Sequence, residues 1–341
     1  MKRYRLGAIK PVWKSPVPEQ PTIRASSDRR GFGVLAGGDL GIYRLAQGVL
    51  GSTGVVEAVR TLEVGEVVLY ALGPEARLLV SALGPELELD DETRGTFATL
   101  TVKGNVSAVA ISASGMTLWA VVEKSKKPAR LHAWDIATLA PIADVEVLAL
   151  AGAVFDLVTH PDAKLERVGV DAAAGQDGSS FTFVDRNNGK LVVLPGSHDA
   201  EDGIALGGLV QDSALLISRE DATLVDVMTQ DVLAGPADAT LPWMQEDMSF
   251  DYQRAYLDGF WALSGSIDRD DDDRGELPTP EDEPQGRLRV FTPDLTEILE
   301  MPSTDDAYET PWAVVGLVRQ QLLICQSDNL MLYDLAALLG A

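Results

Sequence analysis

Leu131-His132-Ala133-Trp134-Asp135-Ile136-Ala137-Thr138 is the stretch on which the fold turns, because weaker copies of it recur along the chain. An apolar or aromatic residue followed by a carboxylate returns at Val184-Asp185, Val225-Asp226 and Tyr333-Asp334. Looser copies stand at Leu89-Asp90 and at Phe291, where the acid, Asp294, comes three residues later. Tyr43 opens the series with Arg44 in place of the acid. From Tyr43 onward the intervals are 46, 45, 50, 41, 66 and 42 residues.

A period of about 40–45 residues accommodates one sheet of four short strands, and seven anchors predict seven such sheets. The fold class expected is therefore all-β: a seven-bladed β-propeller with four-stranded antiparallel blades. The third blade reads most clearly. Val106–Ser112 alternates small and apolar residues, Gly115 turns the chain, and Met116–Glu123, Arg130–Asp135 and Val145–Leu148 follow as strands. The fourth blade reads as Val154–Thr159, Glu166–Asp171, Ser180–Asp185 and Lys190–Leu194, with Asn187-Asn188-Gly189 as the tight turn before its last strand. The fifth reads as Gly203–Val210, Ala214–Ser218, Thr223–Val227 and Val232–Gly235, and the second as Val67–Leu72, Arg77–Leu83, Leu87–Asp90 and Thr96–Val102. In the first, Gly33–Ala36, Leu40–Leu45 and Val49–Ser52 are the candidate strands.

Tyr333-Asp334 leaves only residues 335–341 for an outer strand in the last blade. Residues 1–30 form a basic, proline-containing arm ahead of a propeller over 31–341, and Tyr4–Ile9 within the arm is the expected closing strand, since an unclosed blade exposes strand edges. The interval of 66 residues carries an insertion at 265–286. There Asp268, Asp270, Asp271, Asp272, Asp273, Glu276, Glu281, Asp282 and Glu283 meet only Arg269 and Arg274, and Pro278, Pro280 and Pro284 oppose regular structure.

The 341 residues are 46% hydrophobic and 23% charged, an ordinary globular balance. The formal net charge is −24, unevenly spread: residues 1–30 hold eight basic side chains against Glu19 and Asp28, so the remainder sums to −30. Such a field repels phosphate backbones, so nucleic acid is not an expected ligand, whereas a protein with a basic surface is. Cys325 is the only cysteine, which excludes an intramolecular disulfide and cysteine-rich zinc sites; its run Leu322–Cys325 reads as core. No apolar run reaches 18 residues, so neither a span nor a membrane partner is expected. Arg29-Arg30 followed by Gly31–Leu35 looks like a twin-arginine export signal, but Asp39 and Arg44 break the apolar stretch, and a cytoplasmic location is expected.

Candidate chemistry is sparse. Asp268-x-Asp270-x-Asp272 has the alternate-oxygen spacing that starts a calcium loop, but Asp273 stands where the loop needs glycine and Thr279 where it needs glutamate. These three are the only metal candidates, and no cofactor is expected. Gly31-x-Gly33-x-x-Ala36 matches a dinucleotide fingerprint in spelling but lacks the strand before it and the helix after it. Ser112–Trp119 half resembles the Asp-box of sialidase-like propellers, with Ser114 in place of the acid. His132, His160 and His198 occupy different positions in their blades and read as structural. No nucleophile elbow or phosphate-binding loop is present. Trp119, Trp134, Trp243, Trp261 and Trp312 suit blade packing, while Trp13, on the arm, is expected to dock on the body or on a partner.

In repeat architecture the chain resembles the WD40 family over about residues 30–341. Trp134-Asp135 is its one true Trp-Asp pair, and the Gly-His dipeptide of strong repeats is missing. The resemblance implies a rigid ring that presents loops and a central channel to other proteins. The expected function is a non-enzymatic scaffold or adaptor that docks a protein on one face, with the acidic loop and Trp13 as the candidate contacts. Two alternatives stay open: a hydrolase or lyase whose carboxylates converge in the channel, and a structural subunit of a larger assembly.

Overall fold

A computed structural model describes residues 2–3, 10–17, 21–45, 56–64, 69–201, 203–218, 222–235, 252–257, 259–265, 287–302, 313–326 and 329–339. Seven sheets follow one another around the ring; each of the first six holds a four-stranded antiparallel meander running outward from the centre, and two of them take a fifth strand, Lys2–Arg3 in the sixth and His198–Ala200 in the fourth. The first blade is Thr22–Ala25, Gly31–Ala36, Asp39–Leu45 and Val56–Glu63; the second is Leu69–Leu72, Leu78–Leu83, Glu86–Asp91 and Gly95–Thr101. The third is Asn105–Ile111, Thr117–Glu123, Arg130–Asp135 and Pro141–Glu146; the fourth is Val154–Thr159, Arg167–Ala173, Ser179–Asn187 and Lys190–Val193. The fifth is Ala205–Val210, Ser213–Ile217, Ala222–Asp226 and Val232–Ala234, and the sixth Tyr252–Leu257, Phe260–Gly265, Arg287–Phe291 and Glu297–Pro302. In the seventh, Ala313–Leu317, Gln321–Gln326 and Asn329–Asp334 are joined by Trp13–Pro16, antiparallel to Asn329–Asp334.

The ring is thus closed from the N-terminal segment, by Trp13–Pro16. The expected closing strand, Tyr4–Ile9, lies outside the described residues. Lys2–Arg3 pairs in parallel with the outer strand of the sixth blade, and Thr22–Ala25 is the innermost strand of the first. Residues 1–30 therefore contribute strands to three blades. Two further expectations move. The outer strand of the third blade is Pro141–Glu146 rather than Val145–Leu148, and the outer strand of the first is Val56–Glu63, while Val49–Ser52 lies outside the described residues. Outer strands meet solvent on one side, so their apolar period is weak.

The core is spread over the seven joints between blades. One buried cluster spans each neighbouring pair, from the first and second blades round to the seventh and first. The two-residue period of a strand makes this possible. In Thr117–Glu123, Trp119 and Val121 face the fourth blade, while Leu118 and Ala120 face the second. Trp119 and Trp261 are fully buried; Trp243 and Trp312 lie outside the described residues. Asn188 and Gly189 both have positive φ, 50° and 73°, the backbone that a two-residue hairpin turn demands.

All seven anchors fall on third strands. Their apolar members fill the joints, and the acids fasten turns and neighbours. Asp135 Oδ1 accepts from Thr138 N and Oγ1 at 3.0 and 2.9 Å, and Asp226 Oδ1 accepts from Met228 N and Thr229 N at 2.7 and 2.9 Å. Asp90 accepts from Arg60 of the first blade, and Asp135 Oδ2 from Arg186 of the fourth at 3.2 Å. At the first anchor the charge is inverted and so is its partner: Arg44 Nη2 donates to Glu92 of the second blade at 2.6 Å.

Candidate interaction surfaces

The innermost strands enclose a central cavity of about 460 Å³. Across all seven of them Asp156 is the sole carboxylate, and Arg24 Nη1 lies 4.0 Å from it. The guanidinium of Arg24 also sits 5.8 Å from the centre of the Tyr70 ring. Tyr70 donates its hydroxyl to Gly33 O at 3.0 Å, and burial pushes its pKa far up, so it stays protonated. Paired acid and base carboxylates have no source on these strands.

One face of the ring carries the turns between first and second strands and between third and fourth strands. It is laced with ion pairs. Arg167 donates to both oxygens of Asp185 at 2.6 and 3.0 Å, and to Gln211 O and Asp212 Oδ1 at 2.9 Å. Burial opposes the charge of Arg167, but its bonds to Asp185 and Asp212 outweigh that cost and raise its pKa above the ordinary value. Ser114 and Thr117 donate to Glu166, and Arg186 donates to Thr117 Oγ1 at 2.6 Å, tying the third blade to the fourth. On the same face a groove of about 470 Å³ opens where Arg30, Glu75 and Arg77 meet. Nothing in the sequence pattern pointed to it, since these residues belong to turns of two blades.

The opposite face carries the hairpins between second and third strands and the links from blade to blade. Here the link Val147–Ala153 presents Leu148, Ala149, Leu150 and Ala151 to solvent. Val154 beside it is 75% exposed, and Leu83, on the second blade's hairpin, 68%. Gly265 pairs with Arg287 on this face, so the two ends of the acidic insertion lie there. Asp268, Asp270, Asp271, Asp272, Asp273, Glu276, Glu281, Asp282 and Glu283 themselves lie outside the described residues. Trp13 is placed at the closure: its ring meets Phe32 and Tyr43 edge-on, both at 6.2 Å between centroids.

The histidines are dispersed. His160 Nδ1 accepts from Asp162 N at 3.0 Å, His132 stacks on Trp134, and His198 Nδ1 lies 2.7 Å from Gly196 O. Burial lowers the pKa of His132 and of His160, where Arg167 adds to the effect. Among the described residues no group of three or more histidine, cysteine or carboxylate side chains could hold a metal. Cys325 is buried, and Gly31–Ala36 is a strand, not the turn into a helix that a dinucleotide needs. Among the described residues no helix is long and apolar enough to cross a membrane.

Seven four-stranded blades, joined face to face and closed by an N-terminal strand, define a seven-bladed β-propeller. Among solved structures the chain is similar to the β-propeller domain of Cps50 (Swd1) from Myceliophteria thermophila, at 10% identity and a TM-score of 0.57, over 95% of this chain and 98% of that one. It is similar to the WD40 repeats of RRP9, at 11% identity and 0.58, over 94% and 97%. A chain of the Mitotic Checkpoint Complex is also similar, at 12% identity and 0.56, over 95% of each. At such identities the likeness is one of fold. No protein-family model and no curated protein sequence matches the chain.

Proposed function

We propose that this propeller is a non-enzymatic interaction scaffold that docks a protein partner on the face carrying the link Val147–Ala153. The observation that carries the reading is the exposed apolar segment Leu148–Ala151 with Val154 and Leu83 on the same face. A run of four consecutive apolar residues left in water beside Val154 supports a partner-binding surface there. Both ends of the acidic insertion, Gly265 and Arg287, lie on that face, so a basic partner would be drawn in by charge and held by apolar anchors. The WD40-type fold shared with a chain of the Mitotic Checkpoint Complex supports a place among other proteins. The single carboxylate on the innermost strands speaks against an acid–base enzyme in the channel.

Affinity capture from the native host, at low and at high salt, tests this. A partner should be retained by the parent protein at low salt. It should be lost both with Leu150→Asp/Val154→Asp and with Asp268, Asp270 and Asp272 changed to asparagine, while the melting temperatures stay level. Identical capture by all three proteins would remove the assignment of this face.

A further inference from the structure

We propose that the groove on the other face, built around Arg30, Glu75 and Arg77, is a docking slot for a carboxylate on an acidic peptide segment of a partner protein. In a chain of net charge −24, this lining carries Arg29, Arg30 and Arg77 against Asp28 and Glu75. Glu75 is shared: its Oε1 receives Arg30 Nη1 at 3.4 Å and its Oε2 receives Arg77 Nη2 at 2.9 Å. Asp28 adds little to the pairing of Arg30. Its Oδ1 is taken by Ser26 Oγ at 2.8 Å and by the Arg30 backbone N–H at 3.1 Å, and its Oδ2 stands 3.8 Å from Arg30 Nε. A guanidinium has five donors in a planar fork that fits a carboxylate with two parallel bonds. Here one carboxylate divides itself between two forks. The side chains of Arg30 and Arg77 remain 53% and 62% exposed, with room for a second acid.

The slot is fixed from behind. Glu75 and Ala76 are both left-handed, each at φ 53°, a conformation that non-glycine residues seldom adopt. It persists because Ala76 is fully buried against the strand at Gly31, where a Cβ would come within 2.6 Å of Tyr43 O and 2.8 Å of Ala76 Cβ. Arg44 Nε donates to Glu75 O at 2.7 Å and so anchors the turn a second time. The backbone at Glu75 is thus held in place, and its carboxylate occupies the end of the groove that Arg30 and Arg77 share.

The chemistry of the walls selects the ligand. Pro74, Ala113, Pro161, Ala163 and Val318 give the groove an apolar side that a bare inorganic anion would leave uncovered. A glutamate or aspartate flanked by small apolar residues uses both the arginine rim and this wall. The net negative charge repels acids at long range, so recognition rests on the short-range forks. The slot is on the opposite face from the apolar link, so its occupancy is independent of the scaffold reading.

Isothermal titration calorimetry with a short peptide alternating glutamate and leucine tests the slot, with its glutamine counterpart as control. Glu75→Gln removes the internal competitor and should tighten glutamate-peptide binding about tenfold, the worth of roughly one charge-assisted hydrogen bond. Arg30→Ala/Arg77→Ala should weaken it about tenfold; both sites are exposed, and melting curves check that the ring is intact. Leu150→Asp/Val154→Asp, on the other face, should leave this binding unchanged, which separates failure of the slot from failure of the scaffold face. No glutamate-peptide binding to the Glu75→Gln protein, equal binding of the glutamine peptide, or indifference to the arginine substitutions would each overturn the proposal. Equal competition by free acetate at matched carboxylate concentration would overturn the peptide assignment.

Discussion

The pair Arg167–Asp185 makes a sharp prediction because its two members differ in burial. The Arg167 side chain is 6% exposed and that of Asp185 is 29% exposed. Asp185→Ala deletes two charge-assisted bonds and leaves a buried guanidinium with only Gln211 O and the exposed Asp212. Breaking a buried pair from one side costs about 3–5 kcal/mol, and the surviving contacts pull this case to the lower end, about 3 kcal/mol. Arg167→Met keeps most of the apolar stem and leaves Asp185 where water reaches it, so about 1 kcal/mol is expected. The order matters more than the values. The double variant should be more stable than Asp185→Ala alone, since it removes the stranded charge. Urea unfolding followed by circular dichroism and by tryptophan fluorescence measures all three, and coincident curves justify a two-state reading. If Arg167→Met costs as much as Asp185→Ala, or the double variant is the least stable, the reasoning from burial fails.

Three other outcomes follow from the closure and from the histidines. Deleting residues 1–17 removes the outer strand of the seventh blade and should lower the melting temperature far more than deleting residues 1–10; Trp13→Ala, losing the contacts with Phe32 and Tyr43, should cost about 2 kcal/mol, and equal melts for the two deletions would contradict the closure by Trp13–Pro16. Burial depresses His132 and His160 in the folded state, so the fold favours their neutral forms; the stability this provides is present above the unfolded pKa of about 6.5 and is lost as pH falls below it toward the folded values. Melting temperature should therefore fall between pH 7 and pH 5, and fall less in His132→Gln/His160→Gln; an identical pH profile for parent and variant would refute this.

The recurring pair of an apolar residue and a carboxylate determined the blade count and the place of each third strand, because both members have local work. The apolar side chain enters a joint between blades, and the acid accepts from the turn that follows, as Asp135 does from Thr138 and Asp226 from Thr229. Asn188-Gly189 likewise declared its turn through backbone preference alone. The arm was harder. Trp13–Pro16 has no alternation of its own and becomes a strand only because Asn329–Asp334 offers an unpaired edge, a decision taken some 300 residues away. The same holds for the arginine slot. Arg30 and Arg77 belong to separate turns and share Glu75 only once the first and second blades are packed with Ala76 lodged against Gly31. Local preference is written residue by residue and survives in the sequence, whereas a surface shared between blades exists only after distant segments have been buried against each other.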